Sequence, residues 1–140
     1  MKIKIRTYVL AAVFVLFSVG AVAGLVNPFP VSITTNDDGS VSANGNMATA
    51  RFSENEVEYI GCGTRTVDLG GGDTFIFGFC QAGDSDEAEA FCSTENPEVL
   101  QAIKSISSYS FLSFLASDVG DCLRVGVSTQ SVYIPSGKVK

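Results

Sequence analysis

Cys80 and Cys92 bracket a stretch that holds Asp84, Asp86, Glu87 and Glu89. Two chemistries suit such a stretch. Carboxylates at Asp84, Asp86 and Glu87 could serve calcium, a hard cation that takes oxygen ligands. The full D-x-[DN]-x-[DN]-G-x5-E loop is missing, and turn residues at a solvated hairpin tip explain the same acids. The second chemistry is covalent: two cysteines on the arms of a hairpin could clamp it. If Cys80 faces Cys92, Ser85-Asp86-Glu87 closes the turn. One step away, Phe79 faces Phe91, Cys80 faces Ala90, and the cysteines must reach elsewhere.

The remaining cysteines decide between clamp and metal site. Cys62, Cys80, Cys92 and Cys122 are separated by 17, 11 and 29 residues, and the chain contains no histidine. Zinc, haem of the C-x-x-C-H type and thioredoxin-like redox chemistry therefore lose their ligands or their spacing. Two structural disulfides are expected. Four cysteines allow three connectivities. The favoured one is Cys80–Cys92 with Cys62–Cys122, and the other two stay open.

Other residues that could do chemistry fall short of a mechanism. Glu54, Glu56 and Glu58 would share one face of a strand, with neighbours about 7 Å apart. A glycosidase could use two carboxylates so placed, yet Val57 and Tyr59 make the opposite face the natural core side, which leaves the glutamates on a solvated edge. Without histidine there is no Ser-His-Asp triad, and no Ser-x-x-Lys pair occurs. Gly126-Val127-Ser128-Thr129-Gln130 lacks the last glycine of a nucleophile elbow. Gly70-Gly71-Gly72 is followed by neither Gly-Lys-Ser/Thr nor a helix, so it is a loop and not a phosphate cradle. The hydroxyl-rich end Ser128–Ser131, with Tyr133, could meet a glycan or a peptide as an exposed strand. No cofactor is implied.

These residues need a scaffold, and its elements are legible. Thr74 to Ala82 sets Phe75, Phe77 and Phe79 on one face and Ile76, Gly78 and Cys80 on the other, a period of two that specifies a strand. Gly83–Asp86 turns, and Glu87–Thr94 returns. Met47–Phe52 and Glu56–Val67 are two further strand candidates. Asn96-Pro97-Glu98 is a helix start, with a capping Asn, proline at the first helical position and an acid in the first turn. Val99, Ile103 and Ile106 continue it to about Ser107 as an amphipathic helix that covers one face of the sheet. Tyr109–Ala116 and Cys122–Ile134 are the last two strands, joined at Asp118–Asp121. Near the start, Asn36–Gly39 is a turn between Val31–Thr35 and Ser40–Ala43, which could make a small hairpin. The order specifies an α+β domain with a mainly antiparallel sheet of about five to seven strands and one helix on one face.

The organisation expected is a signal peptide at 1–23, an extended leader with that possible hairpin at 24–45, the α+β domain at 46–136 and a tail at 137–140. Lys2, Lys4 and Arg6 form a basic start, Tyr8–Phe17 is apolar or small, and Ala21-Val22-Ala23 gives the small-x-small pattern before Gly24. An uncleaved anchor is the competing reading, and only then would the protein meet a membrane. Of nine Lys/Arg, the signal peptide holds three. Cleavage leaves six against 15 Asp/Glu, a net charge of −9. Nucleic acid needs a basic face and is not an expected partner.

The marks Phe91-Cys92-Ser93-Thr94, Asn96-Pro97 with its helix, Ser108-Tyr109-Ser110-Phe111 and Gly120-Asp121-Cys122-Leu123-Arg124-Val125 span about residues 74–134. In these the chain resembles small exported bacterial proteins of unassigned function. The resemblance implies a secreted, periplasmic or extracellular, disulfide-containing domain and brings no catalytic residues. The leading expectation is an exported, non-catalytic binding or structural domain whose partner is a protein or a cell-envelope component. The alternative is a secreted inhibitor or immunity-type protein using the acidic loop 84–89. A hydrolase of unidentified mechanism comes third.

Overall fold

The computed structural model describes residues 24–135. The signal peptide expected at 1–23 and the tail at 137–140 lie outside these residues. Seven strands form two antiparallel sheets, with one principal helix and two disulfides. In the first sheet the order is β1 (Ser32–Thr35), β2 (Val41–Asn46), β6 (Phe111–Ala116), β7 (Cys122–Ser128). The second runs β3 (Tyr59–Gly70), β4 (Asp73–Gly83), β5 (Glu89–Thr94). A short helix α1 (Met47–Arg51) follows β2, and α2 (Pro97–Lys104) follows β5. Among the described residues no helix is long and apolar enough to cross a membrane.

The hairpin at 32–46 forms, and it belongs to the domain. β2 pairs with β6 from Val41↔Ala116 to Asn46↔Phe111, and Ala43 is buried in the common core. The leader segment 24–45 therefore supplies two strands of the four-stranded sheet. Its turn is held by Asp38, whose carboxylate accepts from the Ser40 hydroxyl and from the Ser40 N–H. These bonds to the charged form keep Asp38 below the ordinary carboxylate value.

Met47–Phe52 is helical where the sequence pattern indicated a strand. The Asn46 side-chain oxygen accepts the Thr49 N–H at 2.9 Å and caps α1. A side-chain bond of this kind offers the backbone a helical start that hydropathy alone does not show. α2 begins as expected: Asn96 accepts from the Glu98 and Val99 N–H groups, and Pro97 sits in the first turn. It ends at Lys104, about a turn early, where the Ser105 hydroxyl bonds the Ala102 carbonyl.

Large and small side chains divide between the two sheets. The first turns Leu112 and Phe114 inward, with Val125 and Val127 beside them. The inner face of the second offers Cys80, Ala82, Ala90 and Cys92, all small and buried. α2 covers the same face further along. A Cβ placed on Gly78 would lie 2.7 Å from Ile103 Cδ1 and 2.9 Å from Leu100 Cδ2, so only glycine lets the helix seat so closely.

The disulfides join Cys62 to Cys80 and Cys92 to Cys122, correcting the expected Cys80–Cys92 and Cys62–Cys122. The hairpin register itself is as expected, with Cys80 opposite Cys92 and Ser85–Glu87 closing the turn. However, Cys80 also stands opposite Cys62 on its other flank. In an antiparallel ladder the pair that does not exchange hydrogen bonds is the narrower one, and its side chains are closer. Cys62 and Cys80 are such a pair, with Cα atoms 4.0 Å apart. Cys80 and Cys92 then form the wider, hydrogen-bonded pair, at about 5.5 Å. Two neighbours agree with this parity: Asp84 N–H bonds the Ala88 carbonyl across the same hairpin, while Ser93 N–H turns outward to the Gly120 carbonyl. Cys92 is thereby left for Cys122, and this second bridge ties the two sheets together beside the Ser93–Asp121 contact.

Two measurements check this account. A non-reducing peptide map is expected to recover 62–80 and 92–122 linked peptides and no 80–92 link. Phe114→Ala, at a side chain only 1 % exposed, is expected to lower stability by about 3–5 kcal/mol in equilibrium urea unfolding with both bridges intact.

Candidate binding surface

The outer face of the second sheet carries the aromatic residues that the core leaves out. Alternation puts Phe75, Phe77 and Phe79 of β4 on that face, opposite the buried Gly78, Cys80 and Ala82. Phe91 joins them from β5 and is 56 % exposed. Phe75 and Phe77 stack with centroids 5.7 Å apart, Phe77 and Phe79 lie 6.4 Å apart, and Phe79 stacks on Phe91 at 6.5 Å. From β3, Arg65 holds its guanidinium 5.3 Å from the Phe79 ring centre, a cation–π arrangement. The Phe79 ring also lies over Gly63, where an added Cβ would come within 3.1 Å. The result is an aromatic ladder with one cation on it.

The ladder continues beyond the body of the domain. β5 pairs with β4 only from Gly78 to Gly83, while β3 pairs with β4 along nearly its whole length. Residues 65–77 are thus a two-stranded arm. Val67, opposite Phe75 and 41 % exposed, extends the aromatic face, Leu69 at the arm's irregularity is 67 % exposed, and Ile76, 39 % exposed, points to the other face. The glycines at 70, 71 and 72 all have positive φ and make the arm's turn, a loop as expected. Contiguous exposed apolar surface of this kind marks interaction sites.

At the opposite end of the same face Tyr59 and Glu89 flank Gly83. The Tyr59 hydroxyl donates to Glu89 Oε1 at 3.4 Å, and the ring lies over Gly83. Burial first, and then the Glu89 charge and hydrogen bond, raise the Tyr59 phenol above its ordinary value.

The acidic loop is built for its own turn. Asp84 is buried, and its Oδ1 accepts the Asp86 and Ala88 N–H groups, both at 3.0 Å. Glu87 takes a positive φ of 64°, the left-handed corner of a three-residue hairpin loop. Asp86 and Glu87 are exposed, and the calcium candidates Asp84, Asp86 and Glu87 are not gathered into a ligand group. Among the described residues, the group of potential ligands that does converge is Cys80, Cys92 and Cys122, within 4.8 Å, and all three sulfurs are in disulfides.

Nor do Glu54, Glu56 and Glu58 form a row on a strand. β3 begins at Tyr59, because Asn55 Oδ1 accepts the Val57 and Glu58 N–H groups and turns the chain. Glu58 accepts from the Val31 N–H and the Asn55 amide. It lines a groove of about 630 Å³ with Arg51, Glu56 and Tyr59. Its oxygens are therefore engaged in holding β1 to the β3 entry. Of the hydroxyl-rich end, Ser128 closes β7, and Ser131–Tyr133 form a 3-10 turn instead of a strand. Tyr133 packs on Phe29 and Phe111, with centroids 5.9 and 5.7 Å away.

Sequence alternation identified the face shared by Phe75, Phe77 and Phe79 but not its exposure. The available signal was the other face, where Gly78, Cys80 and Ala82 are too small to accompany a solvent side. Scans against family models and searches of curated proteins and of solved structures find no match to this chain.

Titration of the tyrosines by ultraviolet difference absorbance tests the Tyr59 contact. Glu89→Gln is expected to lower the Tyr59 pKa but leave it above 10.0, since burial is the larger cause. With the folded value above the unfolded one, the stability Tyr59 contributes is present below about pH 10 and lost as pH rises through the folded value.

Proposed function

We propose that this chain is an exported, non-catalytic binding domain that engages a protein or cell-envelope component through the outer face of β3–β4–β5. One observation carries the reading: Phe75, Phe77, Phe79 and Phe91 form a continuous row on an uncovered sheet face, with Arg65 over it. Aromatic residues and arginine are the types that dominate binding energy at protein interfaces. Two closed disulfides suit an oxidising compartment outside the cytoplasm. A binding role is also supported by the way two of the acids are used, since Asp84 bonds the backbone of its own turn and Glu58 the Val31 N–H across the fold.

The test is site-specific photocrosslinking of the exported protein in its native envelope. A photoreactive residue at Phe91 is expected to give a discrete adduct, and Phe77→Ser is expected to remove it. Leu123, 58 % exposed on β7 of the other sheet, is the control position. Equal labelling from both positions, or an adduct at 91 indifferent to Phe77→Ser, would count against this face.

A further inference from the structure

β4 has a free edge beside the aromatic face. The ladder parity established by Cys80 places the N–H and C=O of even-numbered β4 residues on the β5 side. β5 reaches only as far as Gly78, because Asn96 and Pro97 turn the chain into α2 after Thr94. Thr74 and Ile76 therefore direct four main-chain groups into a vacant strand position. Among the described residues, neither has a hydrogen bond outside the β3–β4 ladder. Phe75 and Phe77 bond toward β3 instead.

Free edges are ordinarily blunted by charge, proline or a bulge. β3 follows that rule in the arm, with Arg65 and Asp68 on its edge and an irregularity between Asp68 and Gly70. The segment Thr74-Phe75-Ile76-Phe77 has no charge and no proline. It is uncharged, mostly apolar and rich in strand formers, the type of edge that accepts another strand.

We propose that the occupant is a second copy of this chain, with the two β4 edges paired antiparallel about a twofold axis at Phe75. One register satisfies every free group. Thr74 of each copy exchanges both hydrogen bonds with Ile76 of the other, giving four bonds, and Phe75 faces Phe75 in the narrow pair between them. Shifting the register by two one way would set Thr74 against Gly78, whose edge β5 already occupies, and the other way would set Ile76 against Gly72 in the turn. In the register chosen, the chain at Gly72 has already turned toward its own β3 where it comes level with Gly78. Side-chain alternation then keeps all phenylalanines on one side. The ladder Phe79–Phe77–Phe75 of one copy runs on into Phe75–Phe77–Phe79 of the other. Asp73 falls opposite Phe77 of the second copy, one strand from that copy's Arg65 on the same side. Opposite charges thus lie near each end of the seam, despite the acidic net charge. The contact is isologous and closes at two copies. This pairing extends the aromatic face proposed above and rests on the same exposed sheet.

Sedimentation equilibrium of the protein without the signal peptide at 1–23, with native bridges confirmed by peptide map, is expected to show a reversible two-copy species. Ile76→Pro removes one N–H from each copy without touching the β3 ladder. It is expected to weaken association roughly tenfold or more, for two hydrogen bonds lost per dimer. Phe75→Cys supplies a test independent of stability, because it meets itself on the axis and is expected to close an intermolecular disulfide under mild oxidation. Phe77→Cys, opposite Asp73, is expected not to link. A single-copy mass at all concentrations, linking through 77 as readily as 75, or an Ile76→Pro variant that dimerises as strongly as the parent would each overturn the pairing. Crosslinking from position 91 reads separately. Its loss with the dimer intact would sink the partner-binding face and leave the pairing standing.

Discussion

The placement of Cys80 between Cys62 and Cys92 is the constraint on which the second sheet depends. Side chains in a strand alternate with a period of two, so a slip of one residue would turn every inner residue outward. A covalent bond at the narrow pair of β3 and β4 rules out that slip, and the bond from Cys92 to Cys122 fixes this sheet against the other. Such bridging compensates for a weakness of composition. An inner face of glycine, alanine and cysteine buries little apolar area, and a domain of this size has little to spare. Each bridge contributes on the order of 3 kcal/mol through the unfolded chain.

The same constraint explains why the large aromatics are outside. Close packing needs bulky residues on one layer to meet small ones on the other. Here Leu112 and Phe114 come from the four-stranded sheet, and the three-stranded sheet answers with Cys80, Ala82, Ala90 and Cys92. Ile103 and Leu100 press into the space above Gly78 in the same manner. With the inner face reserved for small residues, the phenylalanines of β4 and Phe91 of β5 occupy the outer one. They recover part of their burial by stacking on each other and under Arg65. The remainder of that apolar surface is what a partner could cover.

Charge and shape divide the molecule's surface. Several acids lie at hairpin tips and at the start of α2, where Asp38 and Asp84 accept neighbouring backbone N–H groups as the Asn96 amide oxygen does at the α2 cap. The aromatic face has Arg65 near its middle and Glu89 at one end, beside Tyr59. Two carboxylates that looked available for chemistry in the sequence, Asp84 and Glu58, are thereby structural, since an acid at a turn is close to backbone N–H groups before it is close to any ligand.

Local patterns carried much of the fold. The period of two in Thr74–Ala82, the cap Asn96-Pro97 and the turns at Asn36–Gly39 and Ser85–Glu87 all read correctly, because each depends on neighbours within a few residues, and the presence of two disulfides followed from cysteine count alone. Met47–Phe52 misread for the same reason in reverse: a cap from Asn46 outweighed a weak strand pattern. Cysteine pairing, the division of seven strands between two sheets, and the outward aim of the phenylalanines were decided only by the tertiary structure. Alternation states which residues share a face, but which face is buried depends on what packs against it. Likewise, two cysteines opposite one another are equivalent in sequence until hydrogen-bond parity makes one pair narrow and the other wide.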